Sequence, residues 1–220
     1  MRRSLLRMLS IIAAVAVVGM LFQVAGCRDG DDKQTKGEVE TEMVEGQKLA
    51  DRTVAVLVAD KFEDSELVDP VDALETEGAR IVFVASAAGV TYTGKHGTEV
   101  VADVSADSAN YADFDALIIP GGSAPKELRE NPAVVNLTRQ MVQADKVVAA
   151  ICHGPQVLVT AGVLSGRKAT CYKSVADELE KAGADYRDES VIVDGNLITS
   201  RHPGDLPDFN EAIIVALAAQ

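Results

Sequence analysis

The chain has 220 residues, with 34 acidic against 21 basic side chains and a net charge of −13. That balance disfavours nucleic acid or an anionic lipid surface as a partner. Three cysteines without a CxxC pair and three scattered histidines give no metal-ligand spacing.

Residues 1–26 read as an export signal. Arg2, Arg3 and Arg7 form a basic start, Ile11 to Phe22 is apolar, and Val24-Ala25-Gly26-Cys27 places small residues before a cysteine, as in a lipobox. The apolar run is too short for a comfortable membrane span. Cleavage before Cys27, lipidation of its thiol and an exported, membrane-anchored protein are expected. The mature chain then keeps 18 basic residues against 34 acidic ones, a net charge of about −16. Residues 27–50 mix Asp, Glu and Lys with few apolar side chains and read as a flexible acidic tether. Residues 51–220 have the length of one domain with a full core.

Within that domain, apolar runs of strand length alternate with helix-length segments. Strands are expected at Thr53 to Ala59, Arg80 to Ala85, Ala116 to Pro120, Val147 to Ile151 and Lys168 to Tyr172. Thr91 to Val104 reads as short extended pieces turned by Gly94 and Gly97. Helices are expected at Val68 to Glu77, Pro132 to Ala144 with Asn131 as N-cap, Pro155 to Ala161, Val175 to Ala182 and Pro207 to Ala219. Asp194-Gly195-Asn196 between two Val/Ile/Leu runs predicts a hairpin. Continuous Val/Ile/Leu strands between helices imply an α/β fold: a mostly parallel sheet with helices on both faces. Sites in such sheets lie beyond the carboxyl ends of the strands, so the loops after Ala59, Pro120 and Ile151 should converge.

Chemistry is expected where they meet. Cys152 follows a buried strand and precedes His153-Gly154 and a helix. Helix-start amides there favour a thiolate, the strongest side-chain nucleophile. The amides of Gly122 and His153 are candidate oxyanion donors. A carboxylate from Phe62-Glu63-Asp64-Ser65-Glu66 could meet the sulfur and move a proton, Glu66 first and Glu63 second. His96 and His202 read as structural or loop residues. No organic cofactor and no metal is implied.

From Thr53 to the C-terminus the chain resembles the PfpI family of the ThiJ/PfpI superfamily, flavodoxin-like sandwich proteins with a nucleophile elbow. Seven runs in order carry the likeness: Phe62 to Leu67, Thr93 to Gly97, Asp115 to Gly122, Ala150 to Gln156, Ala161 to Arg167, Val193 to Arg201 and Asp205 to Pro207. The resemblance implies Cys152 as nucleophile beside His153, Glu66 against the sulfur and Tyr172 bordering the pocket. Cys171 stands where serine is usual. If the chain continues as a strand there, Cys171 faces away from Tyr172, which disfavours a Cys152–Cys171 disulfide.

One position departs from the pattern. Protease members complete a Cys-His-Glu triad with an acid from a neighbouring subunit, and Lys126 occupies that place, with Glu127 one residue later. Peptidase activity is therefore doubtful. His202-Pro203-Gly204 lacks the late acid of a glutamine amidotransferase triad. The family implies a homo-oligomer and a small-molecule or peptide carbonyl substrate, with deglycase, glyoxalase III or peptidase-type chemistry. The alternative is a stress-protective protein that senses oxidants at Cys152 without turnover.

Overall fold

A computed structural model describes residues 48–220. The expected export signal, Cys27 and the expected tether up to residue 47 lie outside the described residues. In chain order the strands are β1 (Thr53–Leu57), β2 (Arg80–Ala85), β3 (Thr91–Thr93), β4 (Glu99–Val101), β5 (Val104–Ser105), β6 (Ala116–Ile119), β7 (Val147–Ile151), β8 (Lys168–Ala169), β9 (Asp185–Tyr186), β10 (Val191–Asp194) and β11 (Leu197–Ser200). The helices are α1 (Asp64–Thr76), α2 (Ala124–Leu128), α3 (Pro132–Gln143), α4 (Pro155–Ala161), α5 (Ala176–Lys181) and α6 (Leu206–Ala218).

Seven strands form one sheet in the order β10-β11-β7-β6-β1-β2-β5. All neighbours pair in parallel except β10, which turns back on β11 through the predicted hairpin. The inner strands β6, β7 and β11 are buried along their whole length, as a sheet covered on both faces requires. α1 packs on α6, and α3 on α4. The chain moves one way along the sheet from β1 to β2 and the other way from β6 to β7, so crossovers of the usual right hand put α1 and α3 on opposite faces. This is the flavodoxin-like sandwich that the sequence points to.

The register brings the site together. Val56 pairs with Ile118, and Ile119 with Ala150, so β1, β6 and β7 end at the same edge. β1 lies between β2 and β6, so the chain leaves it to one side and later returns on the other. Such a reversal opens a crevice between the diverging loops.

The structure departs from the expected elements in several places, among them the unexpected short strand β9 beside β8. α1 begins at Asp64 rather than Val68 and holds Pro70 in its interior. Pro70 looks like a first-turn residue in sequence, yet the acidic first turn of Asp64 and Glu66 suits the positive helix end. The expected strand to Tyr172 stops at Ala169, because Tyr172 begins a 3₁₀ turn over Lys173–Val175. α2 was not expected, since Gly-Gly-Ser-Ala-Pro reads as a loop. Finally, the packed domain starts before residue 51. Leu49 is fully buried and its N–H donates to Glu77 O at 2.8 Å. Among the described residues no helix is long and apolar enough to cross a membrane.

Candidate functional site

Cys152 is the one cysteine at the converging strand ends, and its backbone is left-handed, with φ +60°. A non-glycine residue held there stores strain of about 1–3 kcal/mol, which the surroundings must enforce. They do so from both sides. Cys152 N–H donates to Ser200 O at 3.0 Å on β11, and Cys152 O accepts from Tyr172 N at 2.9 Å. Gly154 then closes the turn onto Ile151 O at 2.8 Å, and a Cβ on Gly154 would collide with Ile119 O. The turn thus lifts the sulfur to the floor of an open cleft of about 530 Å³.

The sulfur lies in the field of the Gly122 and His153 amides, which favour a thiolate, and of the Glu66 carboxyl, which opposes it; Glu66 Oε1 is buried without a hydrogen-bond partner. His153 Nδ1 lies 3.2 Å from Sγ. Glu66 is fully buried, and its Oε2 accepts from Gly121 N at 2.8 Å. Gly121 is the spacer between acid and thiol. A Cβ there would sit 2.5 Å from Glu66 Oε2 and 2.7 Å from Cys152 Cβ. Gly122 (φ +77°) has no room either, since its Cβ would meet Glu63 N and Lys61 O at 2.5 Å.

The protonation of this pair differs from the expected exposed thiolate. Cys152 is only 8 % exposed. Burial, then the negative charge of Glu66, push the thiol up to about 12, against the two amides that favour the thiolate. Burial likewise raises Glu66 to about 7, although Gly121 N–H favours its charged form. The acid and the thiol cannot both ionise cheaply, so they titrate as a pair. Burial, followed by the charge of Lys95, holds the His153 imidazole below its ordinary pKa.

Glu63, the second candidate acid, lines the same cleft but faces other partners. Its carboxylate pairs with Lys95 Nζ at 3.3 Å and His96 Nε2 at 3.2 Å. Tyr172 stacks on His153 with ring centroids 5.1 Å apart and forms one wall. Cys171 is fully buried and, like Cys152, a free thiol. Lys126 lines the cleft as well. His202 stays local: its Nδ1 accepts from Gly204 N at 3.2 Å. Sequence reading missed Lys95, Arg129 and Gln156 as cleft residues. Only Gln156 had a signal, since it lies within one helical turn of Cys152. Among the described residues no group of three His, Cys, Asp or Glu could hold a metal ion.

A parallel sheet of this order, with a left-handed cysteine at the edge of its switch point, defines the class: a flavodoxin-like α/β protein with a cysteine elbow. The chain belongs to the DJ-1/PfpI family, which residues 52–216 match. It is 47% identical over 153 residues to Deglycase PfpI of Pyrococcus furiosus, covering 70% of this chain and 92% of that protein. It is 43% identical over 170 residues to Protein/nucleic acid deglycase 2 of Escherichia coli, covering 76% and 99%. A crystal structure of a two-domain protein from Anabaena variabilis, containing DJ-1/ThiJ/PfpI-like and ferritin-like domains, superposes with a TM-score of 0.75 at 42% identity. The match covers 76% of this chain and 48% of that one.

Proposed function

We propose that this protein is a cysteine-dependent enzyme of deglycase type, acting on carbonyl adducts of amines or thiols. The observation that carries the reading is Glu66, fully buried at the elbow of the left-handed Cys152 with Oε2 on Gly121 N and Oε1 unpartnered. Glu66 as carboxylate, or the neutral His153 imidazole, takes the Cys152 thiol proton. Sγ bonds to the hydroxyl-bearing carbon of the adduct, the bond from that carbon to the amine or thiol breaks, and the leaving group takes the proton back from Glu66 or His153. The proton on the sulfur-bound carbon then moves to the neighbouring carbonyl carbon, and the hydroxyl proton moves to the carbonyl oxygen, through an enediolate whose oxygen the Gly122 and His153 amides can hold. The hemithioacetal becomes a thioester, which water hydrolyses to a hydroxy acid and the free Cys152 thiol. The names of the two deglycase relatives support this substrate class over peptides. The position expected to supply a triad acid carries Lys126, which cannot orient an imidazole as a carboxylate does.

The same pair supports a second reading, since a neutral Glu66 can hydrogen-bond to an oxidised Cys152 sulfur. One experiment separates them. The purified domain and Cys152→Ala are incubated with methylglyoxal adducts of N-acetyl-lysine and N-acetylcysteine, and release of the free amine or thiol is followed. Turnover at least about 10³-fold above the variant is expected. No difference, with a stable sulfinate on Cys152 after mild peroxide, would replace the enzyme with the sensor. The order of basic, apolar and Val24-Ala25-Gly26-Cys27 segments supports placing this activity on a lipid anchor outside the cytoplasm. Mass spectrometry of the mature chain should find acyl mass on Cys27, and an intact signal would refute the anchor.

A further inference from the structure

The charge in the cleft runs against that of the chain. Acidic residues outnumber basic ones 34 to 21, yet Lys95, Lys126 and Arg129 all line the cleft that opens on Cys152. Two of these cations are already neutralised. Lys95 pairs with Glu63 at 3.3 Å. Arg129 pairs with Glu178, and its Nε donates to Thr160 Oγ1 at 2.8 Å. Lys126 forms no ion pair with any described residue: Glu63 is taken by Lys95 and His96, and Glu178 by Arg129 and Gln156. Of the two acids lining the cleft, Glu63 is thus paired and Glu66 is fully buried beneath the sulfur. The charge left over at the cleft mouth is the ammonium of Lys126.

Its backbone is fixed while its head is free. α2 is pinned by Ala124 and Leu128, each 1 % exposed, and Lys126 N donates to Ser123 O at 3.2 Å. The side chain is exposed on the cleft side of this turn. An exposed ammonium at the mouth of a cleft walled by Tyr172 and His153 attracts an oxyanion and forms charge-assisted hydrogen bonds to it.

We propose that Lys126 is a specificity residue that selects carbonyl substrates bearing an oxyanion, a carboxylate or a phosphate, which meets its ammonium while the carbonyl reaches Cys152. The substrate part of this inference rests on the function proposed above, but the recognition itself can be tested without turnover. Iodoacetate and iodoacetamide alkylate the same sulfur and differ by one carboxylate. Their rate ratio on Cys152, divided by the ratio on N-acetylcysteinamide, reads the attraction directly. At low salt this normalised ratio is expected to exceed one, to fall roughly ten-fold in Lys126→Gln, to fall further in Lys126→Glu and to persist in Lys126→Arg. A normalised ratio near one in the wild-type protein, or one unchanged in Lys126→Gln, overturns the proposal whatever the turnover results.

Matched substrates then distinguish the two oxyanion sources. Methylglyoxal adducts of N-acetylcysteine and of its amide differ by one carboxylate, and those of O-phosphoethanolamine and ethanolamine differ by one phosphate. A kcat/KM preference for the charged member of either pair, lost in Lys126→Gln, assigns the source. Turnover of both pairs without preference overturns selection. If no pair turns over faster than with Cys152→Ala, the enzymatic reading fails, and the alkylation ratio still decides whether Lys126 recognises anions.

Discussion

Glu66 and Cys152 both crowd Gly121, where a Cβ would collide with each, and burial raises the pKa of both groups. Cys152 and His153 were legible because strand, cysteine, histidine and glycine are consecutive. Glu66 was selected over Glu63 from the first loop, and the structure buries Glu66 at the sulfur while Glu63 faces Lys95 and His96. The direction of the thiol shift was not legible, because burial depends on packing that no local pattern encodes. Folding raises Glu66 from its ordinary 4.5 to about 7. Between those values the folded state binds more protons than the unfolded one. Stability from this group is therefore complete below about pH 4.5 and is lost as pH rises to 7, on the order of 3 kcal/mol in all. His153, with its lowered pKa, acts oppositely and is present in both proteins compared. Urea unfolding should show wild-type stability falling more between pH 5 and pH 8 than that of Glu66→Gln, and equal changes would refute the assignment. Glu66→Gln should also lower the Cys152 thiol pKa by at least about one unit, read from alkylation rate against pH, because the facing charge is removed. Turnover should nevertheless fall about 10²–10⁴-fold, because the proton carrier is lost.

The start of α1 is tied to the β3–β4 hairpin, and this joint positions the first loop of the site. Asp64 Oδ2 accepts from His96 N and Oδ1 from Thr98 N, both at 2.8 Å. Although burial works the other way, hydrogen bonds from Thr98 and His96 hold the Asp64 carboxyl below its ordinary pKa. Gly94 leaves room for that carboxylate, since a Cβ there would lie 2.7 Å from it. The hairpin tip in turn brings Lys95 and His96 to Glu63. The glycine turns of this segment were legible, whereas its docking was not: Asp64 was read as part of a loop, with the helix expected only from Val68. Replacing Asp64 with Ala leaves two backbone N–H groups without their acceptor and should cost about 1–3 kcal/mol. Hydrogen exchange at His96 and Thr98 should accelerate well beyond that of the β1 and β7 amides. Unchanged protection at these two positions would show that the hairpin is held by its own strand pairing.

At the scale of the whole molecule, the sheet was readable because its inner strands are unbroken Val, Ile, Leu and Ala runs, and a strand buried on both faces tolerates little else. The parallel direction of the strands followed from their alternation with helices, whereas their order in the sheet was not legible, since no local pattern says on which side of β1 the chain returns. The boundary of the domain was less readable. Residues 27–50 have the composition of a solvated tether, and composition averages over the one apolar side chain that matters. Leu49 belongs to the same buried cluster as β1, and its turn is fastened to the end of α1 by the bond from Leu49 N to Glu77 O. Lys48 reinforces this with a long 3.9 Å contact to Glu77, too exposed to add much. The chain thus commits to the fold before its first strand, and Leu49 anchors α1, whose other end carries Glu66. Truncating Leu49 to Ala should leave a cavity and cost about 2–5 kcal/mol in urea unfolding, as for a core leucine. A change within about 0.5 kcal/mol, the scale of a surface substitution, would return residues 48–50 to the tether and move the domain start to Asp51.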